Sequence, residues 1–76
     1  MNYQKAIIDK IATARRIKSI IASSTLTYEQ LAEMLELNSP RVIYDWANGN
    51  KLPNLENAYN LLRIFNIKIE DLLVTK

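Results

Sequence analysis

Arg41, Tyr44 and Asp45 are the side chains whose types and spacing best suit chemistry here, and that chemistry is directional hydrogen bonding. On a helix, residues three and four apart share a face. An arginine there offers a planar fork of donors, an aspartate accepts only, and a tyrosine adds a ring with a polar tip. Such a set can read a patterned polar surface. The parts of a catalytic centre are missing. The 76 residues contain no histidine and no cysteine, so disulfides and the ordinary zinc, haem or copper ligand sets are excluded. Glu29 and Glu33 stand one turn apart, as ordinary helix surface. Ser23, Ser24 and Thr25 have no neighbouring base. The chain is expected not to be an enzyme and to need no cofactor or metal.

These side chains lie within SPRVIYDWANGNKLP, residues 39–53, which holds the only Trp, the only Gly and both Pro residues. Ser39 reads as a helix N-cap and Pro40 as the first helical position, where a missing N–H costs nothing. The helix ends near Asn48, with Gly49 placed for a left-handed stop. At 100° per residue, Ile43, Trp46 and Ala47 fall on one face, with Val42 flanking. That face predicts a core, with Trp46 as its plug. Arg41, Tyr44, Asp45 and Asn48 fall opposite, with Pro40 at the edge.

The remaining elements exist to hold that helix. Apolar residues recur at helical spacing almost everywhere, no stretch alternates at period two, and one glycine argues against hairpins and phosphate loops. The reading is all-α: one compact domain over 1–76, with helices at about 3–23, 28–35, 40–48, 55–65 and 69–74. Ile7, Ile11, Ala14, Ile17, Ile20 and Ile21 form the first apolar stripe. Thr27 and Gln30 form a capping box ahead of Leu31, Ala32, Met34 and Leu35. Asn54 caps the fourth helix, Ala58, Leu61, Leu62 and Phe65 line it, and Asn66 can stop it. No apolar run approaches the roughly 18 residues of a membrane span. A cytoplasmic protein is expected.

The net charge of +2 is unevenly spread, at +4 over residues 1–25, −3 over 26–50 and +1 over 51–76. A nucleic-acid partner would therefore be held by few cationic side chains. Backbone amides and exact docking would supply the rest.

LTYEQLAEMLEL followed by SPRVIYDWANGNKLPNLENAYNLLRIFNIKIEDLL resembles the lambda-repressor/Cro-like helix-turn-helix family, also known as the xenobiotic-response-element type. The resemblance covers about residues 11–73. It rests on the ordered set Leu26, Thr27, Leu31, Ala32, Leu35, Ser39, Ile43, Trp46, Gly49 and Pro53. It implies a five-helix fold whose third helix enters the DNA major groove. Carried over position by position, the base-facing residues are Pro40, Arg41, Tyr44 and Asp45, with Val42 at the edge. Ser39, Asn48, Asn50 and Lys51 are expected to meet phosphate. Tyr28 stands where the family usually has a phosphate-contacting Gln, and its hydroxyl can serve instead. Arg41 suits guanine O6 and N7, and Tyr44 and Pro40 suit thymine methyls. Asp45 either accepts from cytosine N4 or orients Arg41.

Two departures stand out. The turn LELNS is one residue longer than the family's L-G-V-S and lacks its Gly, so Glu36 or Asn38 must make the bend, with Asn38 the more tolerant type. The family's common Arg–Glu pair is replaced by Ile21 and Ala47, which strands no charge.

The implied partner is a double-stranded DNA operator, bound by a homodimer, with no membrane and no small-molecule ligand. No separate dimerisation domain is expected. The candidate dimer surfaces are MNYQKAIIDK and IEDLLV, unless those two segments pack on each other. The implied function is a transcriptional repressor of phage, plasmid or mobile-element type. The alternative is an antitoxin or another protein-binding module on the same fold.

Overall fold

A computed structural model describes residues 3–76. Its five helices are α1 (Lys10–Ser23), α2 (Tyr28–Met34), α3 (Arg41–Asn48), α4 (Leu55–Phe65) and α5 (Ile69–Leu72). Each helix sends at least one buried side chain to a common core. Ile17 and Ile21 come from α1, Leu31 and Ala32 from α2, Ile43 and Trp46 from α3, Leu61 from α4 and Leu72 from α5. Burying each large aliphatic side chain contributes about 1.5–3 kcal/mol. α3 packs against both α1 and α2, and α5 packs on α1. The helix bearing Arg41 and Tyr44 is thus braced from behind by two others.

The first helix begins later than periodicity suggests. It starts at Lys10, not near Tyr3. Asp9 is its cap, and the Asp9 carboxylate accepts from the Ala12 N–H at 3.0 Å. The segment before it is spoken for by the other end of the chain. Ile8 and Thr75 form an antiparallel bridge. The Asp9 N–H donates to the Val74 carbonyl at 2.7 Å, and the Lys76 N–H donates to the Ile7 carbonyl at 2.8 Å. The last helix accordingly closes at Leu72 and not at Val74, and Leu73 turns extended. Ile7 and Ile11, expected in the buried stripe, are more than half exposed. The buried side of α1 is Thr13, Ala14, Ile17 and Ile21. Residues 7–9 and 74–76 pack on each other through their backbones.

Three helices stop the same way. Glu36 (φ 56°), Gly49 (φ 82°) and Asn66 (φ 53°) are all left-handed. After α2 the Leu37 N–H donates to the Ala32 carbonyl and the Glu36 N–H to the Glu33 carbonyl. After α3 the Asn50 N–H donates to the Asp45 carbonyl and the Gly49 N–H to the Trp46 carbonyl. Both are Schellman closures. Of the two residues that could make the long turn bend, it is Glu36, at the family's Gly position, and not the more tolerant Asn38. Gly49 has a further reason to be glycine. A Cβ there would lie 2.9 Å from Ile11 Cδ1.

Candidate nucleic-acid interface

α2 is launched by the expected capping box. The Gln30 N–H donates to the Thr27 hydroxyl at 3.1 Å, and the Thr27 N–H donates to the Gln30 side chain at 2.9 Å. α3 is launched by Ser39 and Pro40. Pro40 already has helical dihedrals, and the Ser39 hydroxyl accepts from the Arg41 N–H at 3.1 Å. Ser39 thus satisfies one of the amides that a helix start leaves unpaired. Buried Ile43, Trp46 and Ala47 then fix the rotation of α3 about its axis. Trp46 is 3% exposed, a core plug as expected.

That rotation turns Arg41, Tyr44 and Asn48 to solvent, while Pro40 and Asp45 are half-buried at the margins of the exposed face. Val42 is half-buried and packs against the core cluster. No hydrogen bond joins the Arg41 and Asp45 side chains among the described residues; the Arg41 amide donates to the Ser39 hydroxyl. The Asp45 carbonyl is busier. It accepts from the Asn50 N–H at 2.9 Å and the Lys51 N–H at 3.3 Å. The Asn50 and Lys51 amides are consumed in closing α3, so this loop offers a ligand its exposed side chains. Ser39, Asn48, Asn50 and Lys51 are all exposed.

Tyr28 and Tyr44 are brought together. Their rings stack with centroids 4.3 Å apart and planes 24° from parallel. Tyr28 is the first residue of α2 and packs against the core, whereas Tyr44 is 45% exposed on α3. Burial, and secondarily the neighbouring Tyr44 phenol, hold the Tyr28 hydroxyl above its ordinary ionisation range. It is a neutral donor at any physiological pH. Sequence reasoning named both residues but did not pair them. Two tyrosines, at the entry to one helix and the outer face of the next, were the available signal.

Ile21 and Ala47, which replace the family's ion pair, are both buried. The site thus has a dry rear and a front that carries one guanidinium, two phenols, one carboxylate and several amides. Such a front suits a duplex edge of mixed donors and acceptors beside phosphate.

Comparison with known proteins gives the same picture. The helix-turn-helix family model matches residues 17–72. An uncharacterised helix-turn-helix-type transcriptional regulator from Archaeoglobus fulgidus is 34% identical over 59 residues, spanning 78% of this chain and 82% of its own. A second such regulator from the same organism is 32% identical over 59 residues, spanning 78% and 83%. The solution structure of the SOS-response transcriptional repressor LexA from Eubacterium rectale superposes with a TM-score of 0.78 at 28% identity. That likeness covers 88% of this chain and 70% of the other.

Proposed function

Since the chain belongs to the lambda-repressor/Cro-like helix-turn-helix family of DNA-binding transcriptional regulators, we propose that it represses transcription by occupying a specific double-stranded operator. α3 lies in the major groove. Pro40, Arg41, Tyr44 and Asp45 face the bases, with Val42 at the edge of the contact. Arg41 bonds guanine bidentately, and Tyr44 meets a thymine methyl. Tyr28, Ser39, Asn48, Asn50 and Lys51 hold phosphate through side-chain hydroxyl, amide and ammonium groups.

The observation that carries this reading is the two-sidedness of α3. Its Ile43–Trp46–Ala47 side is buried to at most 7% exposure, while Arg41, Tyr44 and Asn48 face out. A helix locked from behind with its polar side open suits insertion into a groove.

One such helix contacts only a few base pairs, so the protein works as a homodimer on two half-sites about 34 Å apart. It acts in the cytoplasm as a compact repressor of the kind phages, plasmids and mobile elements use. No helix among the described residues is long and apolar enough to cross a membrane.

The test is fluorescence anisotropy with DNA from upstream of the protein's own gene and with scrambled DNA, at two salt concentrations. The native sequence is expected to bind more tightly, and both affinities to fall with salt. Equal binding to the two DNAs at both concentrations overturns the reading.

A further inference from the structure

A tyrosine on the outer face of a helix is normally free to exchange rotamers, and holding it still costs entropy. Tyr44 is not in that position. One face of its ring is covered by Tyr28 at a centroid distance of 4.3 Å, nearly parallel. Tyr28 is itself held at three points. It lies within the Thr27–Gln30 capping box, it begins α2, and it packs against the core cluster. A stacked aromatic pair gains stability beyond what the area it buries supplies. The stack therefore runs from the core, through a fixed ring, to an exposed one. It also crosses the long turn. Glu36 is left-handed there, and the stack ties the first residue of α2 to the middle of α3.

We propose that Tyr28 is a positioning residue for base preference: its ring holds the Tyr44 ring in one orientation, so that the protein distinguishes thymine from a base lacking the C5 methyl at the step Tyr44 reaches. This rests on the reading that α3 docks in the major groove. It goes beyond a phosphate contact, because it assigns the ring and the hydroxyl of Tyr28 separate tasks. The hydroxyl, a neutral donor, serves phosphate and is blind to sequence. The ring acts through Tyr44 and is sequence-dependent. The ligand chemistry is a methyl group in the major groove, which only thymine supplies among the four bases. An ordered ring face packs against that methyl, whereas a mobile ring must be ordered first.

The experiment replaces thymine by uracil, one position at a time, in the tightest-binding duplex found for the wild-type protein. This exchange removes only the methyl. Wild type is expected to lose about two- to tenfold in affinity at one position per half-site, the order expected for losing the burial of one methyl group. Tyr28→Phe keeps the stack. It is expected to bind all duplexes more weakly by a common factor and to keep the thymine-to-uracil ratio. Tyr28→Leu keeps an apolar side chain against the core but removes the aromatic ring, and is expected to bring that ratio to about one. Tyr44→Ala should do the same, with no further change in the double variant.

A second readout needs no DNA. In the free protein the Tyr44 ring resonances are expected to be ring-current shifted in wild type and Tyr28→Phe. In Tyr28→Leu they should move toward random-coil positions. A Tyr28→Leu protein that keeps the wild-type ratio overturns the proposal, as do unshifted Tyr44 resonances in wild type. If wild type shows no sequence preference while its Tyr44 resonances are shifted, the DNA reading fails and the role in base preference fails with it, with the stack itself left standing.

Discussion

The Thr13 hydroxyl accepts from the Val74 N–H at 3.0 Å, across 61 residues of sequence. The same hydroxyl lies 3.4 Å from the Val74 carbonyl, to which it donates. Thr13 is fully buried and is the one polar residue of the described core. A single side chain on α1 thus satisfies both backbone groups of a residue near the end of the chain. Replacing it by valine keeps the shape and removes both bonds. Thr13→Val is expected to cost about 1–3 kcal/mol, read from the urea midpoint. Amide exchange at Val74 should accelerate more than exchange in α3. Unchanged protection at Val74 would mean that the backbone ladder alone holds the tail.

Glu36 stores strain that a glycine would release. An L-residue in the left-handed region costs roughly 1–2 kcal/mol, and glycine gives back roughly 0.5–1 kcal/mol through its freer unfolded chain. The Glu36 side chain is exposed, so little packing is lost. Glu36→Gly is expected to stabilise the protein by about 0.5–1 kcal/mol, the difference between those two terms. Thermal denaturation checks the sign. A lower melting temperature would show that the carboxylate makes a compensating contact.

Arg41 is the side chain on which base discrimination is expected to depend most. Arg41→Ala should cost about 1–3 kcal/mol on the specific site and much less on random DNA. Equal losses on both would make Arg41 a phosphate contact. The melting temperature should hardly move, since Arg41 is exposed.

Tyr28 makes stability fall at alkaline pH. Its folded-state pKa is raised above the ordinary tyrosine value, mainly by burial and secondarily by the Tyr44 phenol. The folded state therefore keeps the phenolic proton after the unfolded chain has lost it. The contribution is complete below the unfolded value and is lost as pH rises through the folded one. Chemical denaturation from pH 9 to 11 should show a drop in wild type that is smaller in Tyr28→Phe. Identical slopes would show that the phenol ionises as freely in the fold as outside it.

How much of this was legible in the sequence followed the range of the interaction. The capping box at Thr27 and Gln30, the Asn54 cap and the stops at Gly49 and Asn66 are local chemistry, and all appear as read. The inward face of α3 was equally clear, because Ile43, Trp46 and Ala47 keep a strict helical period. The start of α1 was misread for the opposite reason. The periodicity runs on through Ile7, while what ends the helix at Asp9 is pairing with residues 74–76, far away in sequence. Asp9 itself was a usable signal, an N-cap residue three before Ala12. The Tyr28–Tyr44 stack depends on how a long turn sets the angle between two helices, and no spacing rule encodes that. Met34, counted with the apolar residues of α2, is 53% exposed, although Leu31 and Ala32 in the same turn are buried.

The ribbon formed by residues 7–9 and 74–76 also decides how the domain responds to force. Ile7 pairs with Lys76, so the chain enters and leaves at the same end of the ribbon. Tension applied through both ends peels the strands like a zipper and does not shear them. The Lys76–Ile7 bond bears the load first, then the Asp9–Val74 bond, and then the Thr13 clamp. They are loaded in that order, and because Thr13 lies in α1 the first turn of that helix feels the pull only at the last of them. The ribbon therefore acts as a mechanical fuse, yielding at low load ahead of the helix against which α3 is braced.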